Sequence, residues 1–424
     1  PVEVYINPSK AEWPEADYIV GNPPYIGARR IGAALGDDYL TALRQTYKNI
    51  PEHADYVMYW WDKAASIVAK NLAQKFGFIT TNSLRQSFSR KVVERALANN
   101  ASLAIEFAIP DHPWVDSADG AAVRVAMTVV GNSKKFGELA EVISIDSNAA
   151  EGADVVLRRR FGVIQSTLSL GADLSTTITL KSNRMLSSVG YQITGKGFVV
   201  TADTAKQLET QDDAEPLIRP LISGRDLTQT SRGLYAIDTY GFSKEELKRR
   251  FPSVYQWLLD RVHPERQHNK DHSSRKEWWR FARPRADFRP ALVNATLTAV
   301  TSLTSKHRLF ACVSPDIIFD STTVIFALGS FCQLGVLSSR IHINWALRIG
   351  GSLEDRPRYN KAECFETFPF PDCDEKPAAR LSDLTEQLDN HRKRQQEQHP
   401  DLTMTGMYNV LEKLRREESL TDKE

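Results

Sequence analysis

Apolar residues recur at helical spacing between Ala54 and Leu72, in ADYVMYWWDKAASIVAKNL, and predict an amphipathic helix packed on a sheet. Tyr18–Val20 reads as a short buried strand and Phe76–Thr81 as a second strand. Residues 26–50, between the first strand and the helix, read as an irregular loop with a short helix. Asn82-Ser83 looks like a helix start leading into Ser89–Asn99, and Leu103–Ile109 and Ala122–Val130 are two further strands. Strand, helix, strand, helix, strand, strand is the order of the second half of a doubly wound α/β sheet that ends in a hairpin. Beyond it, residues 146–189 read as a linker, helical over Ala153–Leu168. From about Gly190 short strands, glycine turns and basic clusters alternate, as in an α+β body. Ser243–Arg261 predicts a helix with Ser243 as its cap and Glu245 and Glu246 in its first turn. Asp316–Phe319 and Thr322–Ala327 read as strands, Gln333–Ser339 and Arg340–Arg348 as helices, and Tyr359–Pro371 as extended. The tail, Ala378–Glu418, is helical and charged, with Leu381, Leu384 and Leu388 at helical spacing. The expected division is therefore 1–145, a linker over 146–189, a second domain over 190–373 and a helical segment over 374–424.

Composition adds bounds. The chain has 424 residues, 42% hydrophobic and 25% charged, enough for two or three ordinary domains. No apolar run approaches a membrane span, and the opening Pro-Val-Glu-Val-Tyr does not read as a signal peptide. Cys312, Cys332, Cys364 and Cys373 are too widely spaced for a zinc site or a disulfide framework, so they read as reduced thiols of a cytoplasmic protein. The net charge is +1, yet Arg219 to Arg308 carries 18 lysines and arginines against 9 aspartates and glutamates. Such a segment reads as a surface for a polyanion, or as a solvated helical face.

The most specific chemistry lies in Asn22-Pro23-Pro24-Tyr25, directly after the first strand. The residue before a proline is pushed toward extended backbone, and two prolines lock two φ angles and remove two N–H donors. The Asn22 side-chain oxygen and the Pro23 carbonyl are then fixed acceptors with the Tyr25 ring beside them. That arrangement suits an exocyclic amino group such as adenine N6. Two acceptors holding its hydrogens favour pyramidal nitrogen and aim the lone pair at an electrophile, a gain of orientation and charge stabilisation. The plainer alternative is a strand that ends in a proline-rich turn.

At this point the chain resembles the amino-methyltransferases that use S-adenosyl-L-methionine, whose motif is Asn/Asp-Pro-Pro-Tyr/Phe. RNA and protein-glutamine methyltransferases share the motif. The resemblance implies that Asn22, Pro23, Pro24 and Tyr25 are catalytic, that Asn22 also lies against the cofactor, and that Gly77–Ser83 is the neighbouring strand. Within Phe107–Val130 it implies a second aromatic for the extruded base, and Trp114 is the candidate beside Tyr25. The family's glycine-rich cofactor loop and its ribose-binding acid have no counterpart before Asn22, and Gly195-Lys196-Gly197 leads into Phe198–Val200 rather than a helix. The chain opens on proline, and the cofactor half is expected to lie outside it.

The stretch from Gly190 to Pro371 resembles the target-recognition domain of large adenine methyltransferases from restriction–modification and phage-defence systems. The matching pieces are GKGFVV, LISGRDL, WWRFARPR, KHRLF, LSSRIHINWA and RYNKAECFETFPFP, with LTMTGMYNVLEKLR in the tail. The whole resemblance runs over about residues 17 to 415, catalytic half first, as in the gamma arrangement. The resemblance implies methylation of adenine N6 at a specific sequence in duplex DNA, with the target base flipped out of the stack. Arg29 and Arg30 stand near the pocket for phosphate contact. In the second domain Arg225, Arg275, Lys276, Arg280, Arg283, Arg285, Lys306 and Arg308 are the expected DNA contacts, with Trp278 and Trp279 to stack or wedge. The plain alternative is a core tryptophan pair with a solvated rim. The histidines of HPERQHNKDH lack the spacing and the acidic pair of a metal site, so no metal is expected. A second hypothesis is a DNA-binding specificity fragment that catalyses nothing without its missing N-terminal half or another subunit of a defence system. RNA or protein methylation is a third, disfavoured by the basic second domain and by the lack of paired strand aromatics.

Overall fold

The computed structural model describes residues 5–421 apart from 86, 115–122, 133–135, 147–153, 172–173, 175–176, 213, 215–216 and 354–355. The chain divides into two units, Pro1–Thr177 and Ile178–Glu424.

The first unit is a six-stranded sheet. Its strands are β1 (Tyr18–Gly21), β2 (Lys75–Thr81), β3 (Leu103–Trp114), β4 (Val123–Asn132), β5 (Gly137–Asp146) and β6 (Asp154–Gly162), in the spatial order β1-β2-β4-β3-β5-β6. Helices α1 (Ile31–Leu35), α2 (Asp37–Thr46) and α3 (Val57–Ala69) lie between β1 and β2, and α4 (Ser87–Asn99) lies between β2 and β3. In α3, Val57, Trp61, Ala64 and Val68 recur at helical spacing and are buried, and Trp61 meets Phe76 of β2 edge-on at 5.2 Å. β1 pairs parallel with β2, and β4 runs antiparallel to both β2 and β3. The carboxyl ends of β1, β2 and β3 therefore share one edge of the sheet.

Two expectations change here. β1 is not buried: it is an edge strand, with Tyr18 59% and Val20 84% exposed. Residues 154–162 form a strand rather than part of a helix; Ala122 and Ala153 lie outside the described residues. Cross-strand pairs explain the strand. Glu141 on β5 meets Arg158 and Arg160 on β6, and Glu138 meets Arg159. The expected linker thus supplies a strand, Asp154–Gly162, to the sheet of the first unit, which extends to Thr177, and the rest of it, from Ile178, falls in the second unit.

The second unit holds two four-stranded sheets. One is ordered β13-β9-β10-β8 and the other β12-β11-β14-β7. Their strands are β7 (Ser187–Val189), β8 (Val199–Val200), β9 (Ile218–Ile222), β10 (Leu234–Ile237), β11 (Leu297–Ser302), β12 (Ala311–Val313), β13 (Ile318–Phe319) and β14 (Thr323–Leu328), and a small hairpin, β15 (Gly351–Leu353) and β16 (Arg356–Arg358), follows. The expected helix over Ser243–Arg261 is two helices, Lys244–Arg250 and Pro252–Arg261, because Pro252 has no N–H to continue the first. Tyr359–Pro371 is not extended throughout. Asn360 caps a helical turn, Lys361–Cys364, and the Asn183 amide donates to the Phe365 and Phe368 carbonyls at 3.1 and 2.8 Å. The tail packs as expected within the second unit: Asp389 of helix Glu375–Gln398 accepts the Cys312 N–H at the edge of β12, at 3.1 Å. Among the described residues no helix is long and apolar enough to cross a membrane.

His342 is fully buried, with Nδ1 2.9 Å from the Leu337 carbonyl and Nε2 3.1 Å from the Tyr359 hydroxyl. A carbonyl only accepts, so the Leu337 contact calls for a proton on Nδ1. Burial pushes the imidazole down to about 4. The unfolded chain takes up this proton near pH 6.5 and the folded chain only near 4. The contribution is therefore complete above about pH 6.5 and is lost as the pH falls toward 4, about 3 kcal/mol in all. Denaturant unfolding at pH 7 and pH 4.5 should show this loss for the wild type, and His342→Gln should flatten the slope over that interval.

Candidate active site

The chain leaves the carboxyl edge of the sheet at Gly21 and runs directly into Asn22-Pro23-Pro24-Tyr25. Pro23 is buried and anchors the loop, Asn22 is exposed, and Tyr25 is half-buried. The Tyr25 hydroxyl donates to Asn22 Oδ1. The two side chains paired from the sequence thus meet, through a hydroxyl–amide bond rather than as an acceptor beside an open ring face. Burial pushes the Tyr25 phenol up, so the hydroxyl stays protonated and able to donate. The Pro24 carbonyl accepts the Ile26 N–H at 3.2 Å, whereas the Pro23 carbonyl has no hydrogen-bond partner among the described residues.

Asp55, just ahead of α3, holds this loop from behind. One carboxylate oxygen accepts the Ala28 N–H at 3.1 Å, and the other accepts the Ser83 hydroxyl from the end of β2. The Asp55 N–H reaches Ser89 Oγ at 3.3 Å, and the Tyr56 N–H reaches the Ile26 carbonyl at 2.9 Å. One aspartate therefore ties the loop after β1 to the end of β2 and to α4. A second group lies at the same edge: Asp111 on β3 accepts from the Asn82 amide at 2.9 Å and from Arg124 Nε at 2.5 Å. None of Asp55, Asp111 or Arg124 was singled out by sequence, and Ser83 was read only as part of a helix start and of the strand beside the loop. Asp55 offers only the signal of an acid before a helix.

A hollow of about 380 Å³ lies in the first unit, and none of Asn22, Pro23, Pro24 and Tyr25 lines it. Its walls include Trp13, Tyr39, Tyr56, Tyr59, Trp60 and Lys63. Tyr39 and Tyr56 share a hydrogen bond of 2.8 Å, and the Lys63 ammonium sits 4.9 Å from the Trp13 ring centre. Among the lining residues Lys63 alone carries a charge.

Arg29 and Arg30 follow in an exposed 3₁₀ turn, Ala28–Arg30, as a phosphate contact requires. Trp114 is half-buried at the end of β3 and makes no ring contact with Tyr25. It shares the carboxyl edge but stands three strand spacings from β1, about 14 Å along the sheet.

The second unit changes the DNA-contact reading. Arg308 is 6% exposed, and its guanidinium donates to the Ser302 carbonyl, to Thr301 Oγ1 at 3.2 Å and to the Pro357 carbonyl at 3.0 Å. It is an internal clamp, and it is withdrawn as a DNA contact. Arg285, at a left-handed φ of 52°, donates to the Gly190 carbonyl at 3.1 Å. Arg280 donates to the Phe242 carbonyl at 3.0 Å, and Arg275 to the Asn269 carbonyl at 2.5 Å. These three hold loops together. Lys306 is exposed but reaches Asn409 Oδ1 at 2.8 Å. Arg225, Lys276 and Arg283 are exposed. Trp278 is core, packed on Tyr255 and edge-on to His263, and the Trp279 indole N–H donates to the Phe242 carbonyl at 3.2 Å. Neither tryptophan stands free to wedge between bases.

Residues 3–142 match the family described as the MmeI DNA-methyltransferase domain, and residues 175–372 match the MmeI target recognition domain. The chain is 21% identical over 381 residues to DNA methyltransferase A of Bacillus subtilis (strain 168), which covers 85% of this chain and 40% of that protein. It superposes on the type IIL restriction-modification enzyme MmeI, solved in complex with DNA, with a TM-score of 0.75 and 20% identity over 92% of this chain and 51% of that one. It thus spans about half the length of that structure, and less of the curated relative.

Proposed function

We propose, from a chain built of the DNA-methyltransferase and target recognition domains of the MmeI family, that the protein methylates adenine N6 at a specific sequence in duplex DNA, as part of a restriction–modification or phage-defence system. The observation that carries this reading is the Asn22–Tyr25 loop, proline-locked and open at the carboxyl edge of the sheet. S-adenosyl-L-methionine supplies an electrophilic methyl carbon when bound. The aromatic walls of the hollow would suit a flat ring such as the purine of that donor, and Lys63 would disfavour its sulfonium there.

The chain's own residues act on the base. A purine inside a duplex cannot reach Asn22, so it must be extruded. Its amino group displaces the Tyr25 hydroxyl from Asn22 Oδ1, and its second hydrogen meets the Pro23 carbonyl. The released Tyr25 ring is then free to lie against the base. Both acceptors favour positive charge developing on the nitrogen, and Asp55 keeps them from shifting. The test offers duplex DNA, structured RNA and protein to the protein as it occurs in the cell, with S-adenosyl-L-methionine labelled in its methyl group. Label in duplex DNA is expected; label confined to RNA or protein overturns the reading.

The exposed edge of β1 favours a second reading. Tyr18 and Val20 lie bare along a strand with one unpaired side, a surface on which further strands could complete the sheet and the donor site. In that case the 424-residue chain alone binds DNA but not the donor. Calorimetric titration with S-adenosyl-L-methionine decides it: micromolar binding by this chain contradicts the second reading.

A further inference from the structure

With Arg308 internal and Arg275, Arg280 and Arg285 tied to carbonyls, the exposed Arg225, Lys276 and Arg283 remain of the expected contacts, and none of them lies on a long helix face. Helix Arg340–Ile349 offers such a face. His342, Ala346 and Ile349 are buried, and Arg340, Ile341, Asn344, Leu347 and Arg348 share the opposite face, all exposed. Ile341 is 75% exposed. The guanidiniums of Arg340 and Arg348 make no hydrogen bond or ion pair among the described residues, and the helix contains no acid. A helix that places two unpaired guanidiniums, a carboxamide and a bare aliphatic tip on one face carries a charge complementary to a polyanion, and side chains that pair with base edges. Its inner face is fixed: the His342 ring meets Phe310 at 5.4 Å and Phe368 at 4.7 Å. The outer face is therefore presented rigidly.

We propose that helix Arg340–Ile349 lies in the major groove of the target duplex and reads it. This rests on the reading of the chain as a sequence-specific DNA protein. Asn344 pairs with an adenine edge, Arg348 with a guanine edge, and Ile341 packs on a thymine methyl, while Arg340 contacts phosphate. The helix diameter suits a groove about 12 Å wide.

The experiment selects bound duplexes from a pool with a randomised central stretch, using the full chain. It then measures affinity for the selected sequence by fluorescence anisotropy at several salt concentrations. Asn344→Ala and Arg348→Ala should each relax the selected sequence at one position and weaken binding to the wild-type site by roughly 5- to 150-fold. Arg340→Ala should weaken all duplexes alike and lower the salt slope by about one. All three positions are exposed, so melting temperatures should stay at the wild-type value, and they check that the fold is intact. If the wild-type chain selects a sequence and the variants select the same one with unchanged affinity, the helix is not the reader. A wild-type chain that selects no sequence overturns this inference and the DNA reading together, so the two failures are distinguishable.

Discussion

Replacing Asn22 by alanine is expected to lower methyl transfer to DNA by about two to three orders of magnitude, the scale set by losing one preorganised polar group at a reacting centre, while duplex affinity stays within about threefold. The separation follows from where Asn22 sits. It is exposed at the end of β1, its side-chain oxygen is bonded among the described residues only to Tyr25, and the loop's anchors are Pro23 and Asp55. Alanine removes an acceptor without removing an anchor. Single-turnover methylation and equilibrium duplex binding, measured on the same preparation, check this. Equal loss of both would make Asn22 a structural residue. Tyr25→Phe should behave differently: it frees Asn22 Oδ1 and keeps the ring, so transfer should persist.

Asp55→Ala is expected to have the next largest effect, a fall in kcat of roughly tenfold to a hundredfold with a small change in KM for DNA. Both oxygens of this carboxylate are engaged, one with the Ala28 N–H after the Asn22–Tyr25 loop and one with the Ser83 hydroxyl at the end of β2. Removing it leaves the Ala28 N–H without its acceptor and releases the loop's rear tether. A displacement near 1 Å at the reacting centre costs about a hundredfold, and leaving one such group unpaired costs about 1–3 kcal/mol of stability. Asp55→Asn retains a carbonyl oxygen for Ala28 and should recover part of the rate. The check is kcat against KM beside the melting temperature for both variants. A loss confined to stability, with unchanged turnover in the folded fraction, would remove the positioning role.

Much of this was legible because its causes are local. The two prolines after a short apolar strand fix Asn22 and Tyr25 whatever surrounds them. The 3.6-residue spacing in α3 likewise marks its buried face, from Val57 to Val68. The misreadings came from partners distant in sequence. Arg158, Arg159 and Arg160 look like a helical rim until Glu138 and Glu141 lie opposite them on β5. Arg308 looks like one more cation in a basic run, but the chain folds so that Thr301, Ser302 and Pro357 surround it. Asp55 joins Ala28 to Ser83, 27 and 28 residues away on either side, and no local pattern announces that. The contact between the Tyr25 hydroxyl and Asn22 is a different case: the two lie three residues apart and the sequence brings them near, but only the structure settles which atoms meet.

The most direct measurement concerns the methylated atom. Duplex DNA treated with the protein as it occurs in the cell and with methyl-labelled S-adenosyl-L-methionine is digested to nucleosides, which are separated and identified by mass. The expected product is N6-methyladenosine in its deoxy form, lost with Asn22→Ala. Label on a ring carbon, on cytosine, or undiminished in the Asn22 variant would contradict the account.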